Sequence, residues 1–115
     1  MQQASEWARQ MVDMASDRHA TDVLLLDVRD LNTFADFFLI MSAESRRQTR
    51  TLVRDITREL NRRGVRMHRW EGTTDSGWVL LDCGDVVIHI FAPEERAYYR
   101  LEDVWVQGRP IIRVQ

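Results

Sequence analysis

The chain has 115 residues, of which 44% are hydrophobic and 30% charged, and its formal net charge is −2. That length suits one domain, residues 1–115, and that balance excludes a disordered chain. The near-zero charge excludes a global pull toward nucleic acid or membrane, although all sixteen basic residues are Arg. An all-Arg complement points either to forked contacts with carboxylate or phosphate or to a compositional bias of the source.

The lone cysteine, Cys83, permits no disulfide within the chain and suits a reducing compartment. The segment from Met1 to Trp7 lacks the features of a signal peptide, and the longest apolar runs, near Val23–Leu26 and Phe37–Met41, are too short to span a bilayer. A cytoplasmic protein is expected.

In chain order, residues 5–18 read as a helix capped by Ser5, with Trp7, Met11, Met14 and Ala15 on one face. Val23–Val28 reads as a strand, Leu31-Asn32-Thr33 as a turn, and Phe34–Met41 as a second strand. That second strand is apolar on both alternations, as expected of a central position with both faces covered. Ser45 and Gln48 fit a capping box opening a second helix, whose stripe is Thr49, Leu52, Val53, Ile56 and Leu60 and whose stop is Gly64. Val65–Trp70 is a third strand. Gly77–Asp82 and Asp85–Phe91 form a hairpin closed by Cys83-Gly84. Pro93 starts a third helix running to about Val106, with Glu94 and Glu95 at its positive end. Gly108-Arg109-Pro110 turns into a last strand, Ile111–Val114. The order implies an α/β domain with a mixed sheet and flanking helices.

A two-residue hairpin loop pairs Leu81 with Val86, Leu80 with Val87 and Trp78 with His89. One face then carries Val79, Leu81, Val86, Ile88 and Ile90, all aliphatic and suited to a core. The other carries Trp78, Leu80, Asp82, Asp85, Val87, His89 and Phe91. Either helices cover this second face too, or part of it is open and forms a protein-binding patch. In the third helix Ala97, Leu101 and Val104 define the buried stripe, with Tyr98 and Trp105 at its edge. Tyr99 points outward near Glu95, Arg96 and Glu102.

Arg46, Arg50, Arg54 and Arg58 recur every four residues on the second helix, with Arg47, Arg62 and Arg63 beside them. The stripe is either a solvated face, partly neutralised by Asp55 and Glu59, or a track for phosphates in which Arg50 and Arg54 touch RNA. No aromatic residue interleaves with it as on a stacking surface. His68, Cys83 and His89 lack a zinc-type spacing. Asp82 and Asp85 sit at a turn where a third acid such as Glu71 could join them around a divalent cation, but turn acids more often serve solubility and local hydrogen bonds. No phosphate loop or nucleophile elbow is present. No catalytic residue, metal or cofactor is expected.

Several segments coincide with a known pattern. These are Asp27-Val28, Ala35-Asp36-Phe37-Phe38-x-Ile40-x-Ser42, Ser45-x-Arg47-Gln48 and Glu71-Gly72. The long run Gly77-Trp78-x-Leu80-x-Asp82-x-Gly84-Asp85-Val86-Val87-x-His89-x-Phe91 follows, then Arg96-x-Tyr98-Tyr99-x-Leu101-Glu102 and Trp105. From about Thr21 to Trp105 the chain resembles the ribosomal silencing factors, also called the Iojap family. The resemblance implies a nucleotidyltransferase-like fold without transferase activity. It also implies binding to the large ribosomal subunit through its fourteenth protein, and a block on small-subunit joining when nutrients are scarce.

The contact surface implied by the resemblance is Trp78, Leu80 and Asp82 of the hairpin with Tyr98 and Tyr99 of the third helix. Asp82 and Arg96 are expected to pair with opposite charges on the partner. Free of its partner, an open apolar face would suit a homodimer. The rival is a nucleotidyltransferase-like enzyme acting on nucleotides. Such enzymes hold metals with paired acids after a Gly-Ser turn. Here that turn is Ser42-Ala43-Glu44-Ser45, and Asp82 and Asp85 are split by the hairpin loop.

Overall fold

Two helices cover one face of a six-stranded sheet and leave the other face only partly roofed. The computed structural model describes residues 4–29, 35–104 and 109–114. The strands are β1 (Thr21–Asp27), β2 (Phe37–Ser42), β3 (Arg69–Glu71), β4 (Trp78–Asp82), β5 (Val86–Phe91) and β6 (Arg109–Val114), in the order β3-β4-β5-β2-β1-β6. Only β2 and β5 run parallel, so the sheet is mixed, as expected. The helices are α1 (Ala4–Asp17), α2 (Arg46–Arg62), α3 (Pro93–Tyr99) and α4 (Leu101–Val104).

The larger core lies between the sheet and α1 and α2. Trp7, Met11 and Ala15 of α1 and Leu52, Ile56 and Leu60 of α2 pack on Leu25, Leu39, Val79, Leu81, Ile88 and Ile90. Truncating a fully buried member such as Ile56 to Ala would cost roughly 2–5 kcal/mol. β2 is buried along its whole length, which fits its central place and its double apolar alternation. A smaller cluster on the opposite face gathers Leu24, Leu26, Phe38, Ile40 and Phe91, with Trp78, Val87 and Leu101 partly buried against it.

Ser45 caps α2 as its sequence indicates, its hydroxyl accepting from the Gln48 amide at 3.0 Å. The Gln48 side chain does something else. Its Oε1 accepts from the Glu44 amide at 2.6 Å and its Nε2 donates to the Arg18 carbonyl at 3.2 Å, so it ties α2 to the end of α1. Arg18 also pairs with Asp55 at 2.7 Å, and its hydrogen bond, followed by that of Arg54, holds Asp55 below the usual carboxylate range.

Several expectations need correction. Ser5 lies inside α1 (Ala4–Asp17), so it is not the cap of that helix. The β4–β5 register pairs Trp78 with Phe91, Leu80 with His89 and Asp82 with Val87, two residues away from the two-residue-loop alignment. The turn lies one residue further on, because the Cys83 amide donates to the Val86 carbonyl and continues the pairing, and the Asp85 amide donates to the Cys83 carbonyl within the turn. A two-residue shift preserves which side chains share a face, so the two faces survive it. β3 is shorter than expected, since Val65 and Met67 pack on the core and ladder pairing begins only at Arg69. The third helix is broken at Arg100, which adopts the left-handed region at φ 48° and donates its amide to the Arg96 carbonyl. The second strand also begins later than expected, at Phe37, because Ala35 and Asp36 precede the ladder. The Leu31-Asn32-Thr33 turn, Phe34, Trp105, the helix end at Val106, the Gly108 turn and the side chains of Glu102 and Val104 lie outside the described residues.

Candidate functional site

β4, β5 and α3 bring a chain of aromatic rings from the smaller core out to solvent. Phe38 meets His89 edge-on at 5.3 Å. The indole Nε1 of Trp78 donates to Nδ1 of His89 at 3.1 Å. Trp78 also stacks on its cross-strand partner Phe91 at 4.9 Å and tilts against Tyr99 at 4.7 Å. Tyr98 closes the series edge-on to Tyr99 at 5.0 Å. Such ring pairs each contribute about 0.5–1.5 kcal/mol beyond area burial. The inner rings are sealed and the outer ones open, with Tyr99 48% and Tyr98 81% exposed.

Leu80 and Val87 lie half-buried on the same face, next to Trp78 and Asp82. Across the β3–β4 ladder, Arg69 opposes Asp82 and Glu71 opposes Leu80, both exposed. The surface therefore has an aromatic and aliphatic centre with a charged edge, the anatomy of a protein contact patch. The Asp82 Oδ1 accepts from the Gly84 amide at 2.9 Å, so part of its capacity is used in the turn. Burial pushes the His89 imidazole down to about 3, so the ring that holds Trp78 is neutral. Burial, and then Asp82, pushes the Cys83 thiol up to about 11, which leaves it protonated.

Trp78, Leu80 and Asp82 share one face of β4, and Tyr99 and then Tyr98 extend that face from Trp78. Tyr98, expected half-buried at the helix edge, is the most exposed of them, while Ala97 is exposed and not part of a buried stripe. Arg96 is corrected from a surface contact to a buried residue, only 5% exposed. It donates to the Asp22 carbonyl at 2.6 Å and to the Ser42 hydroxyl at 2.9 Å, and it pairs with the Asp22 carboxylate at 3.4 Å. The reason is long-range: Asp22, at φ 45° beside a β1 irregularity, offers both a carbonyl and a carboxylate to α3. Arg50 and Arg54 lie exposed on α2, across the sheet from Trp78. His89 is the residue that sequence reasoning undervalued. Its place on the Trp78 face was readable from alternation, but its hydrogen bond was not.

Among the described residues no three His, Cys, Asp or Glu side chains gather in a way that could hold a metal ion. No described helix is long and apolar enough to cross a membrane.

These features define a mixed-sheet α/β domain that presents an aromatic surface on its less covered face. The family described as "Ribosomal silencing factor during starvation" matches residues 1–115. Ribosomal silencing factor RsfS of Bacillus subtilis is 39% identical over 89 residues, 77% of this chain and 75% of that protein. The chloroplastic protein Iojap of Zea mays is 35% identical over 105 residues, 91% of this chain and 46% of that protein. A crystal structure from Chromobacterium violaceum superposes with a TM-score of 0.86 at 28% identity, covering 99% of this chain and 95% of the other. One from Bacillus halodurans gives 0.77 at 32% identity, covering 96% and 98%. The chain belongs to the ribosomal silencing factor family.

Proposed function

We propose that the chain is a cytoplasmic translation repressor that docks on the large ribosomal subunit with the Trp78–Tyr99 surface. Its bulk then occupies space the small subunit needs. The contact on the subunit is its fourteenth protein, and the action belongs to nutrient limitation, as the family resemblance implies. Family membership supports the role in ribosome silencing. The observation that carries the choice of surface is the aromatic series itself, which anchors Trp78 on both sides and leaves Tyr98 and Tyr99 open to a partner. In this reading Leu80 fills a pocket beside Trp78, and Asp82 pairs with a cation on the partner. Arg96 has no part in the contact. The protein acts by occupancy and carries out no reaction.

The test is co-sedimentation with separated subunits. The protein should travel with the large subunit, and Trp78→Ala and Tyr99→Ala should each weaken binding by roughly thirtyfold, about 2 kcal/mol. Wild-type protein should also slow subunit joining in a light-scattering assay, and both variants should not. Undiminished binding in two folded variants would dismiss this surface.

A further inference from the structure

On the far side of the sheet, α2 and the segment leading into β3 enclose an open groove of about 770 Å³. Its floor is Val53, Leu60, Val65 and Met67, and Trp70, 52% exposed, forms one end. Trp70 is fixed there by its indole N–H, which donates to the Gly72 carbonyl at 3.1 Å. Arg50, Arg54, Arg58 and Arg66 rim the groove, and no carboxylate of the described residues lines it. The acids of α2 point elsewhere: Asp55 pairs with Arg18 at 2.7 Å and Glu59 with Arg63 at 2.8 Å, on the side toward α1. Arg54 reaches Asp55 at 3.0 Å, whereas no described acid pairs with Arg50, Arg58 or Arg66. The groove is thus apolar below and positive above.

We propose that this groove binds an acidic amphipathic helix of a second protein. Residues 50, 54 and 58 rise about 6 Å per step along α2, and carboxylates four apart on a facing helix rise by the same amount. An apolar stripe between those carboxylates meets the aliphatic floor, the helix-in-groove mode of recognition. A nucleic-acid strand fits less well, because its bases need ring faces to stack on and the groove offers only Trp70. The groove lies on the opposite side of the sheet from Trp78, so occupancy there leaves the aromatic surface free. The inference does not depend on the docking role of that surface.

The probe is a side-chain-stapled peptide of about eighteen residues, with Leu at helical spacing and Glu in flanking rows. A twin peptide has Lys for Glu, and a short oligouridine serves as the RNA rival. Binding is read by anisotropy and by the Trp70 indole N–H resonance of the intact protein. The acidic peptide should bind and shift that resonance. Arg50→Ser with Arg58→Ser should weaken it about tenfold or more while circular dichroism is unchanged, since both side chains are exposed. Trp70→Ser, also at an exposed site, should weaken it as well. The proposal is overturned if the acidic peptide fails to bind at about 1 mM, if the Lys twin binds equally, or if oligouridine alone binds through these arginines.

Discussion

The Trp78 indole donates its hydrogen bond to a histidine that burial keeps neutral, His89, at 3.1 Å. Because Nδ1 accepts, the neutral ring carries its proton on Nε2, which is buried and meets no hydrogen-bond partner among the described residues, and a second proton would have to enter at Nδ1, against the Trp78 N–H. The same ring lies edge-on to Phe38, which ties the exposed aromatic surface to the smaller core.

This pair makes folding stability depend on pH in a defined window. His89 has its folded pKa depressed to about 3 from an ordinary 6.5, so below pH 6.5 the unfolded chain takes up the proton first. Its contribution is complete above pH 6.5 and is lost as pH falls toward 3. The limiting slope is about 1.4 kcal/mol per pH unit. Glu59, held at about 2 by Arg62 and Arg63, and Asp55, lowered by Arg18 and Arg54, add acid sensitivity only below their ordinary values of 4.5 and 3.8. Urea unfolding at pH 7 and pH 5.5 should therefore differ by about 1 kcal/mol. His89→Phe should abolish most of that difference, and an equally steep variant would show that the sensitivity arises elsewhere.

Tyr98 and Tyr99 separate contact from stability. Tyr98 is 81% exposed and touches Tyr99 only by its edge, so Tyr98→Ala should shift stability by no more than about 0.5 kcal/mol. Tyr99 lies against Trp78 at 4.7 Å, and Tyr99→Ala should cost about 1 kcal/mol of stability through the lost ring contact. Both substitutions should weaken large-subunit binding, Tyr99→Ala the more strongly. Thermal melts beside co-sedimentation would check the ranking, and a Tyr98→Ala variant that binds normally would confine the contact to Trp78, Leu80 and Tyr99.

Much of this was legible in the residues because it rests on local period. Alternation assigned Val79, Leu81, Ile88 and Ile90 to the core and Trp78 and Leu80 to the other face, and parity kept that assignment through the two-residue register error. The α2 stripe and the Ser45 cap were readable for the same reason. What escaped depends on partners far along the chain. Gln48 bonds to Arg18, thirty residues away, and Arg96 to Asp22, seventy-four residues away. No spacing rule reveals either. A helix continued past Arg100 would half-bury Tyr98, but the backbone turns left-handed at Arg100 and Tyr98 stays exposed.

Arg96 should behave as a folding residue. Its guanidinium joins α3 to β1 through Asp22 and to β2 through Ser42, at a site where water scarcely reaches. Arg96→Ala removes those bonds and leaves the Asp22 and Ser42 acceptors to find others, at a cost of about 3 kcal/mol. Arg96→Lys keeps the charge but not the fork and should recover only part of it. Urea midpoints give the comparison. Were Arg96→Ala as stable as wild type but unable to bind large subunits, the residue would be a contact after all.

The backbone beneath Trp78 supplies the last prediction. Gly72 sits at φ 88°, and a Cβ there would lie 2.0 Å from the Trp78 carbonyl oxygen. That oxygen also accepts from the Ser76 hydroxyl at 3.0 Å, so it cannot yield without moving the start of β4. Gly64 has a similar φ of 73° but open space around its Cβ position. Gly64→Ala should therefore cost only the left-handed backbone term, about 1 kcal/mol, whereas Gly72→Ala should cost at least about 2 kcal/mol more. The second cost is local to Trp78. Gly72→Ala should therefore also weaken large-subunit binding under conditions where the protein remains folded, and Gly64→Ala should not. Paired denaturation and sedimentation measurements on the two alanine variants decide it, and equal binding by both would show that the position of β4 does not govern the contact.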